Sequence, residues 1–226
     1  HGAPASRSWA ALALGLLARN QRLRGTPDSN RIGTRLLAAF RKNSNPWTRA
    51  AIALALGLAR HRPATGVLRK ALAKARHETL ISHCALALAR LGCASAALEI
   101  REALTRRPCS LPPGARLAGA LDSLDSTLAL NTLMDLSLDP ARPDSSRKCA
   151  VNALGRMGSP QAAQILADLV ADPFVGTPLR YLAARSLGRV AEAKVRLLGE
   201  LVGPGFNYNL IYSTLIGDRN GLLDGF

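Results

Sequence analysis

The chain has 226 residues, 48% of them hydrophobic, with 30 Lys/Arg against 15 Asp/Glu and a formal net charge of +15. That is enough apolar material for a continuous core. Aromatics are only 4%, Ala and Leu dominate, and alternating strand patterns are missing before the C-terminal tail, so a β or α/β domain is excluded and an all-α class follows.

In chain order, the first helix is predicted over about Ser6–Arg19, followed by a long connection, Asn20–Ser29, that carries Gly25-Thr26-Pro27-Asp28. A second helix over about Asn30–Asn43 turns Ile32, Leu36, Leu37 and Phe40 inward. Asn45-Pro46-Trp47 reads as a cap with proline in the first turn, opening a helix that runs to about Arg60. The next, about Thr65–Arg76, buries Val67, Leu68, Ala71, Leu72 and Ala75. Glu78–Gly92 and Ala94–Arg107 form a third pair. A degenerate fourth opens at Leu111-Pro112-Pro113-Gly114 and continues over about Thr127–Leu138. Arg147–Met157 and Gln161–Ala171 form the clearest hairpin, with Gly158-Ser159-Pro160 ending one helix and capping the next. The sixth pair is expected over Thr177–Val190 and about Lys194–Val202, joined by a very short turn. Gly203-Pro204-Gly205 then breaks the array and leaves a tail, 206–226, with a helix at about Asn209–Ile216.

These pairs share one register. Aligned on Gly155, the equivalent positions are Gly15, Gly57, Ala89, Asp122 and Gly188, spaced by 42, 32, 33, 33 and 33 residues. The residue before each is leucine: Leu14, Leu56, Leu88, Leu121, Leu154 and Leu187. Two before stand Ala13, Ala55, Ala87, Ala120, Ala153 and Ser186. A register held over that many steps marks an internal repeat of helical hairpins, each needing neighbours to bury its faces.

The repeat resembles the HEAT-repeat superfamily, in the short form related to the phycobilisome-lyase repeats, best seen in Leu179-Arg180-Tyr181-Leu182-Ala183-Ala184-Arg185-Ser186-Leu187-Gly188-Arg189-Val190. The resemblance implies a right-handed α-solenoid of about six hairpins over 1–202, an armadillo-like fold. The tail, with Asn207-Tyr208, Thr214-Leu215 and Gly221-Leu222-Leu223-Asp224, is similar to that of exported bacterial HEAT-repeat proteins, which implies export. Residues 203–226 are read as a C-terminal cap over the last repeat. The first helix is as apolar as an internal one, so an upstream region or a partner is expected to cover it.

The longest apolar runs, Trp9–Ala18 and Ala50–Ala59, are too short to span a bilayer. Charge is unevenly spread: residues 1–77 hold 15 Lys/Arg and one acid, Asp28, whereas 78–226 hold 15 and 14. Arg31, Arg35, Arg41, Lys42, Arg60, Arg62, Arg69, Lys70, Lys74 and Arg76, with His61 among them, are candidates for one basic surface across the first two repeats. It would attract nucleic acid or acidic glycan, or it is the solvated face of an arginine-rich protein. Arg7, Arg49, Arg147 and Arg180 all stand eight residues before the glycine register. They form either an arginine ladder for an anionic partner or a structural ladder that bonds carbonyls of the neighbouring repeat.

Cys84, Cys93, Cys109 and Cys149 form no C-x-x-C spacing, and His77-Glu78 is a lone pair, so no metal and no cofactor is expected. A Cys93–Cys109 disulfide stays open. No nucleophile elbow, paired carboxylates or phosphate loop is visible. The expected function is a non-enzymatic scaffold that binds a protein partner through a concave surface of second helices. A binder of anionic polymers is the alternative, and a HEAT-repeat enzyme of lyase, hydroxylase or glycosylase type is the distant third.

Overall fold

The computed structural model describes residues 4–25, 28–106 and 111–202; side chains are described within 6–25, 30–106 and 112–191. The described residues form α-helices and two short 3-10 turns, with no strand among them. In order the helices are α1 (Pro4–Leu23), α2 (Asp28–Lys42), α3 (Pro46–Leu58), α4 (Thr65–Lys74), α5 (Glu78–Arg90), α6 (Ala97–Thr105), α7 (Leu111–Leu124), α8 (Ser126–Leu138), α9 (Asp144–Met157), α10 (Pro160–Ala171) and α11 (Thr177–Val202). The chain divides into two compact units, 1–190 and 191–226.

Local chemistry sets the helix ends. The Asn45 side chain accepts hydrogen bonds from the Trp47 and Thr48 amides at 2.9 and 3.1 Å, and Pro46 follows at the first helical position. Ser159 does the same for α10 through the Ala162 amide at 3.1 Å, and Asp125 for α8 through the Leu128 amide at 2.9 Å. Gly158 ends α9 with φ +64° and Gly92 follows α5 with φ +69°, the left-handed conformation that glycine adopts most cheaply.

Arg60 occupies the seat after α3 that Gly92 occupies after α5, with φ +50°. The hydrogen bonds match: Arg60 N to Gly57 O and His61 N to Leu56 O, like Gly92 N to Ala89 O and Cys93 N to Leu88 O. An L side chain in this conformation costs about 1 kcal/mol. Replacing Arg60 by glycine should therefore raise stability by about that amount, read as a higher urea midpoint at unchanged slope.

Within residues 4–190 the odd-numbered helices pack in sequence, α1 on α3, α3 on α5, α5 on α7 and α7 on α9. Even-numbered helices lie against their odd neighbours and touch each other more lightly. The glycine register explains the closest approaches. A Cβ built on Gly15 would lie 2.7 Å from the Ala55 Cα, one on Gly57 2.7 Å from the Ala87 Cα, and one on Gly155 2.7 Å from the Ser186 Cβ. At these three positions, on α1, α3 and α9, an odd helix gives a bare backbone to the small residue two positions before the register of the next.

The core follows the register. Leu56, Leu88, Leu121 and Leu154 are fully buried; Leu187 is half-buried. Phe40, Leu68, Ile100, Leu104, Leu133, Leu166 and Leu169 fill the space between the layers. Leu14, in the first repeat, is 42% exposed because nothing packs on that side of α1 within the described residues.

Two expectations are corrected. The short turn predicted between Val190 and Lys194 does not exist: Thr177–Val202 is one helix of 26 residues, so the sixth pair is not a hairpin. The segment Arg189–Val195 contains no glycine or proline, and Ala191, Glu192, Ala193 and Lys194 are strong helix formers. The connection after the first helix is also shorter than expected, because α1 continues to Leu23 and α2 begins at Asp28. The tail, 203–226, expected to cap the array, lies outside the described residues, as does Cys109.

Candidate functional site

Three of the arginines eight before the register, Arg49, Arg147 and Arg180, meet the last turn of the preceding even helix. Arg147 Nε donates to the Ser137 carbonyl of α8 at 3.2 Å, and Arg180 Nε to the Val170 carbonyl of α10 at 3.0 Å. Both acceptors are carbonyls left open where a helix ends, and a cation suits that end of the helix dipole. Arg49 stands over the Phe40 ring of α2, 4.7 Å from its centroid, with Nε buried and unbonded. Arg7 on α1 also has an interaction partner. Arg49, Arg147 and Arg180 thus join one repeat to the one before it.

The ten candidate basic residues are spread over α2, α4 and both ends of the second hairpin. Arg41 and Lys42 are exposed in the last turn of α2, and Lys74 and Arg76 at the equivalent end of α4. Arg60 and Arg62 sit at the opposite end of α4, at the turn from α3. Arg31 and Arg35 line a shallow cleft of about 280 Å³ with Gln21 and Ile32. Lys70 is exposed midway along α4. Arg69 is neutralised by an ion pair with Glu99 of α6, its Nε 3.0 Å from both carboxylate oxygens, and that hydrogen bond holds its guanidinium pKa above the usual value. His61, read from sequence as part of the basic cluster, is buried: its ring fills the space over Gly33, where an added Cβ would come within 2.4 Å of Nδ1, and burial lowers its pKa.

Sequence reasoning missed Arg19 and Arg90. Partial burial, and then the Arg19 guanidinium beside it, lower the Arg90 pKa. Arg19 lies near the end of α1 and Arg90 ends α5. Their register offsets, one and four residues past the glycine position, are visible in the sequence. What the sequence does not show is that helices two steps apart come close enough for the two charges to repel.

His83, on α5, is a strongly perturbed imidazole. Its imidazole is lowered to about 4 by burial and, secondarily, by Arg116 on α7, while a hydrogen bond to the Ala50 backbone opposes the shift. Unfolded, the ring binds a proton near its usual 6.5; folded, it does so only near 4. Between those values the unfolded chain holds more protons, so stability falls as pH drops from 6.5 to 4. Unfolding free energies from urea denaturation at pH 7 and 4.5 should differ by on the order of 2 kcal/mol in wild type, and His83→Gln should remove most of the difference.

The Cys84 thiol is pushed up to about 12 by burial, against the pull of Arg49, which makes it an inert core group. Cys93 is also a free thiol, half-buried, and Cys149 is buried in α9. The Trp47 indole, exposed at the start of α3, meets the His77 ring edge-on with centroids 4.5 Å apart. Among the described residues no group of three or more His, Cys, Asp or Glu is placed to hold a metal ion. A second cleft, about 290 Å³, lies between α6 and α8, with Arg101, Asp135 and Asp139 on its walls. Arg142 closes one end, donating to the Thr105 carbonyl at 2.6 Å and to Asp139 at 3.2 Å.

The other unusual surface is α1. Ala11, Gly15 and Ala18 are buried toward α3, yet the opposite side carries Trp9 at 73%, Leu16 at 50%, Leu17 at 47% and Leu23 at 68% exposure. A helix apolar on both faces belongs inside a structure. No family model matches the sequence, and no curated protein matches it either. No described helix is long and apolar enough to cross a membrane.

Proposed function

We propose that this chain is a HEAT-type repeat module, a right-handed α-solenoid whose function is to bind a protein partner rather than to catalyse a reaction. The sequential packing of odd on odd helices through glycine–alanine contacts supports the repeat architecture. The observation that carries the binding function is the exposed apolar side of α1, with Trp9, Leu16, Leu17 and Leu23 in one patch. Such a patch on a soluble chain marks an interface, and an exposed tryptophan flanked by leucines is the usual anchor of one.

A second reading, an anionic-polymer binder, is favoured by the exposed Lys70 and Lys74 on α4 and the exposed Arg41 and Lys42 in the last turn of α2. One experiment separates the two. Wild type, a Leu16→Glu/Leu23→Glu variant and a Lys70→Glu/Lys74→Glu variant are each used as bait on an extract of the source cells. In parallel each is titrated with duplex DNA and heparin at about 50 and 200 mM salt. Proteins retained by wild type and by the α4 variant, but lost with the α1 variant, support protein binding. Tight polymer binding that collapses at the higher salt and disappears in the α4 variant would replace it with the second reading.

A further inference from the structure

The way the even helices are tied together changes along the array. Arg69 on α4 stands twelve residues past the register position Gly57, and Glu99 on α6 stands ten past Ala89. They form an ion pair that joins α4 to α6, with Arg69 Nε 3.0 Å from both carboxylate oxygens. One repeat later the same offsets, counted from Ala89 and Asp122, fall on Arg101 of α6 and Thr132 of α8. The equivalence holds in the core, because Leu68, Ile100 and Leu133, eleven past the register in each repeat, are all fully buried. Arg101 is thus placed as Arg69 is, and a threonine stands where its carboxylate would be. Thr132 is buried and donates its hydroxyl to the Leu128 carbonyl of its own helix at 2.7 Å. Glu102, next to Arg101 in the chain, is paired with Arg106. The Arg101 guanidinium has no ion pair or hydrogen bond among the described residues, and Arg101 is exposed where Arg69 is half-buried.

The cleft of about 290 Å³ opens at this place, lined by Arg101 and Thr132 together with Asp135 and Leu136 of α8. Two of its four charged groups satisfy each other: Asp139 accepts from Arg142 Nε at 3.2 Å, and Arg142 also donates to the Thr105 carbonyl at 2.6 Å. The other two do not. The Asp135 carboxylate, exposed on α8, has no partner among the described residues, Arg101 included. The cleft therefore carries one unmatched cation and one unmatched anion, on different helices.

Those two groups describe a ligand. A guanidinium fork without its acid takes a carboxylate, as Arg69 does. A carboxylate without a cation takes an ammonium. An anion alone would meet Arg101 and be repelled by Asp135, and a cation alone would meet the reverse. A molecule with both charges satisfies both walls. Ligand pockets run from about 300 to 1,000 Å³, so a cleft at the bottom of that range suits a molecule the size of one amino acid.

We propose that the cleft between α6 and α8 binds a small zwitterion, a free α-amino acid, whose carboxylate sits on Arg101 as Glu99 sits on Arg69 and whose ammonium faces Asp135. This site goes beyond the protein-binding reading and shares no residue with the α1 patch or with Lys70 and Lys74, so either can fail while the other stands.

The test is a saturation-transfer NMR titration of the full chain with three molecules that differ by one charge: L-alanine, propionate, which lacks the ammonium, and L-alaninamide, which lacks the carboxylate. Alanine is expected to bind with a Kd on the order of 1 mM, as suits two solvent-exposed contacts in an open cleft. The other two should bind about fivefold more weakly or worse. Arg101→Gln should erase the preference for alanine over alaninamide, and Asp135→Asn the preference for alanine over propionate. Neither side chain has a partner to lose, so both unfolding midpoints should match wild type. Thr132→Glu should set a carboxylate beside Arg101 from within and exclude alanine; its midpoint reports whether it folds, and the other two variants carry the test without it.

Propionate binding to wild type as tightly as alanine would overturn the proposal, because the cleft would then be a general anion site. So would the absence of saturation transfer to all three molecules up to about 50 mM, far above the expected Kd. A glutamate-containing peptide blocked at both ends that binds through Arg101, while alanine does not bind, would assign the cleft to an acidic side chain of a partner protein instead.

Discussion

Replacing Leu56 by alanine should lower the unfolding free energy by about 3–4 kcal/mol, whereas the same change at Leu14 should cost less than about 1 kcal/mol. Both leucines precede a register glycine, and by sequence they are the same residue in two copies of one repeat. Leu56 is fully buried in α3 and belongs to the continuous core, with α1 and α5 packed on either side of its helix. Truncating it removes apolar area from the core and leaves a cavity that close-packed helices cannot collapse into. Leu14 is 42% exposed, so much of its side chain already contacts water in the folded state. Urea denaturation of the two variants gives the comparison directly. A ratio near one would mean that α1 is covered in solution by something that buries Leu14, and the midpoint would then depend on protein concentration if the cover is another copy.

The second large effect is expected at the glycines. Gly57→Val should destabilise by about 3 kcal/mol, although valine is the better helix former of the two by a few tenths. The new Cβ would lie 2.7 Å from the Ala87 Cα and 3.1 Å from its Cβ, and the first of these is backbone that cannot swing aside. Helices α3 and α5 would have to separate, which loosens the contacts of Leu56 and Leu88 together. Gly188→Val is the control. An added Cβ there meets nothing within 4 Å and the residue is exposed, so that variant should be neutral or slightly stabilised. Equal losses at both positions would show that the glycines are kept for backbone conformation and not for close approach. Neither lies in a left-handed conformation, which argues for approach.

Helix periodicity was fully legible in the sequence. Ala-Leu-Gly recurring at a nearly constant spacing, with caps such as Asn45-Pro46 and Ser159-Pro160 and a stop at Gly158, placed α3, α9 and α10 to within a few residues. These signals are local: a cap bonds amides two or three residues away, and an apolar face needs only its own helix. Where the local signal was ambiguous the reading failed. The turn expected after Val190 was inferred from repeat length alone, and the residues there favour a helix strongly enough that Thr177–Val202 runs on without a break.

The candidate surfaces were less legible, because they depend on which distant residues meet. Charge counting could find the basic first third, yet it could not show that Arg69 is paired with Glu99, thirty residues on, or that the His61 ring lies over Gly33. Nor could it show that partial burial, with Arg19 as a lesser cause, lowers the Arg90 pKa. Ala13 and Ala55 are indistinguishable as letters. Only the stacking of α1 on α3 makes Ala55 a buried contact, against Gly15, while Ala13 is exposed among the described residues. The sequence therefore determined the helices, their register and the sign of the charge, all short-range or additive properties. Which of the repeated faces stays open is a property of the assembled array, set by the number and order of helices packed against one another.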